Sequence, residues 1–224
     1  HFAWFVEQCV PPAYHDEARD RGLDIHVLLQ EKGFFPEEEL WKFCHFDGIL
    51  GGHPDPKVPG IEVSTGSLGH GLPVAVGMAL AAKRRAENHR VITVLGDGEC
   101  NEGSVWEAAM SASKHRLDNL TAIVDYNKQQ SYASTYEVLD LEPFAAKWTA
   151  FGFAVREVDG HDVHALEKMF SELPFAEGKP SAIICHTIKG KGVAFAENNL
   201  KWHHKSSIKA NEVEELLRAI EAGQ

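Results

Sequence analysis

The stretch Val91–Gln130 decides how this chain folds, and it reads VITVLGDGECNEGSVWEAAMSASKHRLDNLTAIVDYNKQQ. It begins with the apolar run Val91–Leu95, which is typical of a buried strand and breaks at Gly96-Asp97-Gly98. A helical pattern follows over Glu102–His115, and a second apolar run over Leu120–Val124 predicts another strand. Strand, helix and strand in this order predict two parallel strands that are joined by a crossover helix.

Each of these predicted strands is followed by an oxygen-bearing side chain, Asp97 after the first and Asn127 after the second. The carboxyl ends of parallel strands meet at one edge of a sheet, which is where ligands bind in open α/β folds. We therefore expect the Asp97 carboxylate and the Asn127 amide oxygen to face each other, as a Mg²⁺ ion completed by phosphate oxygens and water would require. A structural interpretation stays open, in which Asp97 only caps the helix that follows.

Composition and charge restrict the class of protein. The 224 residues are 44% hydrophobic and 25% charged, as in ordinary globular proteins, and are enough for one α/β domain with a full core. The net charge of −11 argues against a nucleic-acid binder, which would carry a basic patch. The four scattered cysteines have no zinc spacing and predict reduced thiols in a cytoplasmic protein. No apolar run has membrane-spanning length, so we expect no membrane association.

Strand and helix patterns alternate along the chain without a linker or an internal repeat. We therefore predict a single α/β domain over residues 1–224, with a doubly wound, mostly parallel sheet flanked by helices. Beyond the central stretch, strands are predicted at Ala154–Val158 and Ser181–Cys185, and helices at Val27–Gly33, from Pro36, and over Val74–Asn88, Glu142–Phe151, Val163–Glu172 and Asn211–Ala222. The sequence begins at His1 rather than Met, and we expect the natural N-terminus to lie further upstream.

Two glycine-rich segments precede the central stretch. Asp47–Gly60 (DGILGGHPDPKVPG) contains too much Gly and Pro for regular structure and carries His53; loops of this length are often functional. Ser64–Pro73 (STGSLGHGLP) opens a long helix, which suits a bound anion or a closely approaching ligand. On the motif alone, a plain turn that packs a helix of small residues against the sheet is the favoured interpretation.

GDG followed one crossover later by Asn resembles the thiamin diphosphate signature, and longer segments extend the resemblance over nearly the whole chain. These segments are GGHPDPKVPGIEVSTGSLGHGLPVAVGMALAAK, VLGDGECNEGSVWEAAMSASKHRLDNLTAIVDYNK, GKPSAIICHTIKGKGVAFAENN and WHHK. The chain is similar to the N-terminal, diphosphate-binding half of transketolase, and in particular to the short subunit of two-subunit bacterial transketolases. The resemblance implies a thiamin diphosphate-binding fold with thiamin diphosphate and Mg²⁺ as cofactors.

The resemblance also implies which residues hold these cofactors. The implied Mg²⁺ ligands are the carboxylate of Asp97, the side chain of Asn127 and the backbone carbonyl of Gln129. The residues implied to line the cofactor are Gly66, Ser67 and Leu68, with Leu68 against the thiazolium. Gly98 would contact the diphosphate, and Asn127 is implied to bind the cofactor as well as the metal.

Histidines and acids complete the implied site. His53, His203 and His1 match histidines that surround the thiazolium, the diphosphate or the sugar hydroxyls in the family, so catalysis and, for His203, cofactor contact are implied. Neutral imidazoles can carry hydroxyl protons near neutral pH. Glu102 and Glu107 match acids that connect to the cofactor-activating Glu of the partner, which implies a catalytic role for Glu102 and cofactor contact for both.

The implied activity is the transfer of a two-carbon ketol unit from a ketose phosphate donor to an acceptor, with thiamin diphosphate supplying the carbanion chemistry. In this family the activating Glu comes from a pyrimidine-binding domain, for which 224 residues leave no room. We therefore expect a chain that is inactive alone. It would work as an α2β2 heterotetramer with a C-terminal, pyrimidine-binding transketolase subunit.

Several positions depart from the family pattern. His70 replaces the usual Gln, Gln129 replaces Ile or Leu, Ser131–Ala133 replaces Ile-Asp-Gly, and His204 replaces the Gly after the active-site His. Because these positions cluster near the cofactor and the substrate entry, a specialised acceptor, such as a carrier-bound group in a biosynthetic pathway, is an alternative. A 2-oxo acid dehydrogenase component with a lipoyl acceptor and a structural subunit without catalysis are two others.

Overall fold

The structure is a computed structural model that describes residues 24–203 and 209–222. The chain forms two compact units, one ending at Gly66 and including Ile208–Arg218, the other comprising Ser67–Ser207 and Ala219–Gln224. The single domain over residues 1–224 stays a prediction. His1 and His204 lie outside the described residues.

The larger unit contains a four-stranded, wholly parallel sheet. Its strands are β1 (Val91–Gly96), β2 (Leu120–Tyr126), β3 (Ala154–Asp159) and β4 (Ser181–His186), in the order β1-β2-β4-β3. In the register, Gly96 is opposite Asp125, and His186 is opposite both Tyr126 and Asp159. The four strands therefore end together at one edge, and the predicted α/β fold with a parallel sheet flanked by helices is confirmed.

Apolar content explains the strand order. The two central strands, β2 and β4, are almost continuously apolar and buried, because both of their faces are covered. The outer strand β1 alternates instead, with Ile92 and Val94 exposed between buried Val91 and Leu95. All four strands lie where the apolar runs predict them, each extended by one or two residues at its end.

Five α-helices lie wholly within the described part of the larger unit. They are α2 (Gly71–Arg84), α3 (Gly103–Lys114), α4 (Thr135–Leu139), α5 (Phe144–Ala150) and α6 (Val163–Ser171). Helix α2 is displaced at both ends from the predicted range Val74–Asn88. It starts earlier because Pro73 is tolerated in a first turn, where its missing N–H would have no partner, and it ends before Ala86, which has the left-handed φ of 56°.

Helix α4 was not predicted, although the sequence carries its signal. Ser134 and Glu137 form a capping box, in which each side chain bonds the backbone of the other residue. The S-x-x-E spacing marks such a helix start, but the five residues that follow are too few to show a helical period.

The core of the larger unit lies between the sheet and helices α2, α3 and α5. Ala79, Ala109 and Ala112 are fully buried, and these small residues let α2 and α3 pack closely on each other and on the sheet. The fully buried Trp148 of α5 packs its ring 5.2 Å from that of Trp106. Packed aromatic rings of this kind contribute beyond their buried area.

The smaller unit has its own apolar cluster. Its elements are α1 (Asp24–Glu31) and the 3-10 helix Glu37–Lys42, which begins after Pro36 as predicted and has three acids in its first turn. The cluster comprises Val27, Leu28, Phe35, Leu40, Leu50 and Val58. The last described helix is α7 (Ala210–Ala222). None of the described helices is long and apolar enough to cross a membrane.

Candidate metal and cofactor site at the sheet edge

Asp97 is the first residue after β1, and its carboxylate is held on both sides by backbone N–H groups. Gly98 N donates to Oδ1 at 2.7 Å, and Lys128 N donates to Oδ2. Asp97 is only 1% exposed, and this burial raises its pKa to about 7, with the neighbouring Asp125 acting in the same direction. Burial favours the neutral form of this carboxylate. A bound cation would stabilise its charged form.

Asp97 also caps the short 3-10 helix Gly98–Asn101, as the structural interpretation of the sequence expects. Capping does not exclude metal binding, because the two oxygens of a carboxylate offer about four lone-pair positions and the two backbone donors use only two.

Asn127 lies at the neighbouring strand end and is 5% exposed. Its Nδ2 donates to Asp125 at 3.1 Å, and its Oδ1 accepts from Gln129 N at 3.0 Å. Lys128, between Asn127 and Gln129, has the left-handed φ of 65°, which turns the chain sharply after β2. This turn fixes the direction of the Asn127 amide oxygen. The oxygen accepts one hydrogen bond there and keeps a second lone pair for another partner.

The donor set fits Mg²⁺. The carboxylate of Asp97 lies at the end of β1. The amide oxygen of Asn127 and the turn that contains the Gln129 backbone carbonyl lie at the adjacent end of β2. Within the described residues no cluster of three or more His, Cys, Asp or Glu could hold a metal ion. A small hard cation at this edge would therefore need oxygens from outside the protein, which is how Mg²⁺ binds alongside phosphate groups.

Gln129 reaches the loop that follows β4. Its Nε2 donates to Asn198 Oδ1 at 3.4 Å, and its buried Oε1 has no hydrogen-bond partner among the described residues. A buried acceptor without a partner is costly, so this oxygen is suited to a donor that a ligand or a water molecule brings.

Lys189 was not among the residues that the sequence predicts for the site. Burial lowers the pKa of Lys189, while the nearby charges of Asp125 and Asp97 raise it. Lys189 follows the C-terminal end of β4, the strand that pairs with β2. A cation at a parallel strand end is the signal that could have identified it.

The turn Ser67–His70 is joined to the sheet edge through Gly69. Gly69 N donates to Glu99 Oε1 at 2.9 Å, and Ser104 Oγ donates to Gly69 O at 2.8 Å. Leu68, at the tip of this turn, is 59% exposed. The structure thus brings the predicted residues Ser67 and Leu68 to the same loop system as Gly98.

Glu99 was also missed by the sequence reasoning. Burial raises its pKa, while hydrogen bonds from Gly69 and Gly96 lower it. Its neighbour Glu102 is the N-cap residue of α3 and is exposed, as is Glu107 on the same helix. Cys100 is a fully buried thiol whose pKa burial raises, so it is a packing residue.

The predicted histidines fall in different parts of the chain. In the smaller unit, the imidazole of exposed His53 lies against Gly66, where an added Cβ would be 2.9 Å from the ring. Gly66 also has a φ of +113°, so both space and backbone demand glycine. In the larger unit, half-buried His203 directly follows the 3-10 helix Leu200–Trp202.

The family model described as the thiamine diphosphate binding domain of transketolase matches residues 23–221 of the chain. This chain belongs to the transketolase family. The resemblance that the sequence motifs show is therefore confirmed, and the sheet edge around Asp97 and Asn127 belongs to a thiamin diphosphate-binding domain.

Two relatives within the transketolase family are named as subunits. An apulose-4-phosphate transketolase subunit of Phocaeicola vulgatus is 44% identical over 196 residues, which cover 88% of this chain and 69% of that protein. A 6-deoxy-6-sulfo-D-fructose transketolase subunit, SqwG of Clostridium sp. (strain MSTE9), is 43% identical over 184 residues, covering 82% of this chain and 67% of that protein.

Solved transketolases share the fold. The crystal structure of transketolase from Campylobacter jejuni is similar with a TM-score of 0.74 and 27% sequence identity. The similarity covers 91% of this chain but only 37% of that one. The chain therefore corresponds to somewhat more than a third of that solved transketolase.

Proposed function

We propose that this chain is the N-terminal subunit of a two-subunit transketolase, which binds thiamin diphosphate and Mg²⁺ and transfers a two-carbon ketol unit between sugars. The observation that carries the proposal is the buried carboxylate of Asp97, tied by Lys128 N to the turn that bears Asn127 and Gln129. The family membership and this oxygen donor set support the same cofactor pair.

Asp97, Asn127 and the Gln129 carbonyl would hold Mg²⁺ in this proposal. Gly98 would let the backbone approach the diphosphate, and the ammonium of Lys189 would offset its charge. Thiamin diphosphate supplies the stabilisation of a carbanion when it is bound. The protein's contribution is to anchor the diphosphate and to present Leu68 as an apolar support.

Histidines would carry the protons. His53, His203 and His1 are suited to give or take a proton at substrate hydroxyls, because neutral imidazole titrates near the operating pH. Glu102 and Glu107 are exposed on or beside α3, where a partner subunit can reach them. We propose that they link this chain to the partner's activating Glu.

A partner is proposed from the length and the names of the relatives. The chain spans about a third of a solved transketolase, whereas relatives of which it covers about two thirds are named subunits. A C-terminal, pyrimidine-binding chain would complete the site in an α2β2 assembly. We propose a cytoplasmic location for this assembly.

The donor is proposed to be a ketose phosphate or a related sugar. One relative is named for apulose 4-phosphate and another for 6-deoxy-6-sulfo-D-fructose, so members of the family are named for different sugars. A specialised, carrier-bound acceptor is the second candidate, favoured by the polar Gln129 side chain and by Tyr132, which is highly exposed close to the proposed Mg²⁺-binding turn.

Reconstitution with a candidate C-terminal subunit tests the proposal. Isothermal titration of thiamin diphosphate, with Mg²⁺ and with EDTA, should show binding only when the metal is present. Transfer from xylulose 5-phosphate to ribose 5-phosphate should then require both subunits. Metal-independent binding or no binding at all would contradict the cofactor assignment. A requirement for a lipoyl acceptor would reassign the complex to the 2-oxo acid dehydrogenases.

A further inference from the structure

The turn that carries Leu68 is held in place through its backbone. Gly69 donates its N–H to the carboxylate of Glu99 at 2.9 Å, and its carbonyl accepts from the hydroxyl of Ser104 at 2.8 Å. Glu99 lies in the 3-10 helix after β1 and Ser104 lies in the first turn of α3. The N–H and the carbonyl of Gly69 are therefore both hydrogen-bonded to residues that follow Asp97 in the chain.

Close packing requires a glycine between these two bonds. Gly69 has a φ of +77°, and an added Cβ would lie 2.4 Å from Ser104 Oγ and 2.7 Å from Glu102 Cβ. The backbone of the turn is thus pressed against the start of α3, and no side chain fits between them.

The remaining side of the turn is closed by His70. Its Nδ1 lies 3.0 Å from the carbonyl of Leu68 and 3.1 Å from Ser67 Oγ. Because a carbonyl can only accept, Nδ1 carries the proton in this arrangement. His70 therefore tightens the turn locally, whereas Glu99 and Ser104 fix it to the sheet edge.

Leu68 itself has little packing of its own, since its side chain is mostly exposed. Its position follows from the backbone of the turn, and the charge-assisted bond from Gly69 to Glu99 is the stronger of the two attachments. We propose that Glu99 is a positioning residue, which acts through the Gly69 amide to hold Leu68 in place for the cofactor. This inference rests on the proposed function.

The proposed effect comes from the hydrogen bond that Glu99 accepts from Gly69 N, and the negative charge acts by strengthening that bond. Glu99→Gln retains an oxygen that can accept from Gly69 N, whereas Glu99→Ala leaves the N–H without a partner. Ser104→Ala removes the second attachment and should have a smaller effect of the same kind. Glu172→Gln, at a surface carboxylate paired with Arg156 of β3, is the matched control.

The test uses the reconstituted complex and two measurements. Hydrogen–deuterium exchange of the peptide covering residues 65–71 should accelerate in Glu99→Ala and stay near wild type in Glu99→Gln and in the control. The dissociation constant of thiamin diphosphate in saturating Mg²⁺ should rise about tenfold in Glu99→Ala, as expected for loss of a hydrogen bond to a charged group. In Glu99→Gln it should recover most of the wild-type value.

The outcomes separate this inference from the proposed function. A wild-type complex that binds no thiamin diphosphate refutes the proposed function, whatever the variants do. Wild-type binding with unchanged exchange and affinity in Glu99→Ala refutes the positioning role of Glu99. Equal impairment in Glu99→Ala and Glu99→Gln would also overturn it, because the charge rather than the bond to Gly69 would then matter.

Discussion

Lys128 donates its backbone N–H to the carboxylate of Asp97, across two adjacent strand ends. Lys128 stands between Asn127 and Gln129, so this bond sets all three proposed metal ligands relative to one another. The left-handed φ of 65° at Lys128 makes the bond possible, because it turns the chain back toward β1 directly after β2. The proposed ligands are therefore arranged by the protein's own backbone.

Removal of the Asp97 charge should abolish metal-dependent cofactor binding. In Asp97→Asn the site loses its only proposed anionic ligand, and one of the two backbone N–H groups that donate to Asp97 loses its acceptor. We expect the loss of Mg²⁺-dependent thiamin diphosphate affinity to exceed the roughly 10–100-fold that loss of an outer-shell partner costs. Isothermal titration of the reconstituted complex at several Mg²⁺ concentrations measures this.

Asp118→Asn is the control for this experiment. Asp118 pairs with Lys83 at the opposite end of the sheet, 2.8 Å apart, and its replacement should leave the Mg²⁺ dependence unchanged. Retention of wild-type Mg²⁺ dependence in Asp97→Asn would mean that the metal binds elsewhere.

Gly66→Ala should destabilise the protein and displace His53. A Cβ at this position would meet the imidazole at 2.9 Å and would sit on a backbone with a φ of +113°. Strained backbone positions cost of order 1–3 kcal/mol. Urea unfolding should therefore show a loss of about that size, and the His53 imidazole signals should shift in NMR spectra.

Gly77→Ala provides the matched control. Gly77 lies within α2, and an added Cβ would meet nothing within 4 Å. Since alanine is the better helix former by about 1 kcal/mol, this variant should be as stable as wild type or more so. Equal effects of the two substitutions would show that the environment of Gly66 is less restrictive than its contacts indicate.

The free energy of unfolding should decrease in mild acid because of His26. It is almost fully buried, its two ring nitrogens have no partner among the described residues, and burial lowers its pKa from 6.5. The unfolded chain therefore takes up a proton first as the pH falls. This contribution to stability is complete above pH 6.5 and decreases as the pH drops toward the folded-state pKa.

Denaturant unfolding at pH 7.5 and at pH 5.5 tests this prediction for His26. His26→Leu should lose less unfolding free energy between these two conditions than the wild type does. His89→Gln, at an exposed histidine, should behave as the wild type. An undiminished pH dependence in His26→Leu would show that other groups control the acid sensitivity.

The sequence predicts those parts of the fold and of the site that depend on a single strand or a single turn. Apolar runs predict all four strands, and the rule that parallel strands end at one edge is sufficient to bring Asp97 and Asn127 together. The bond between Glu99 and Gly69 was not predictable in this way. It joins two loops that are distant in sequence, and its existence depends on how α2 and α3 pack. Lys189, by contrast, follows a predicted strand end, so the sequence did contain the signal that could have identified it.

Helix α2 should be part of the contact with the proposed partner subunit. Val74 and Met78 are four residues apart on α2 and share its exposed face, opposite the buried Ala75 and Ala79. Met110 is a further exposed apolar side chain, on α3, the helix that also carries Glu107. Exposed apolar side chains grouped on packed helices are typical of a subunit interface.

Met78→Glu should therefore weaken assembly without unfolding the chain. A charge at a buried contact is costly unless it is paired, so we expect at least a tenfold weaker association with the C-terminal subunit and a matching loss of transferase activity. Analytical ultracentrifugation of the mixed subunits measures the first effect, and a thermal melt of the isolated variant confirms that it folds. Glu167→Arg, on the exposed face of α6, should assemble normally. Wild-type assembly of Met78→Glu would place the interface on another surface.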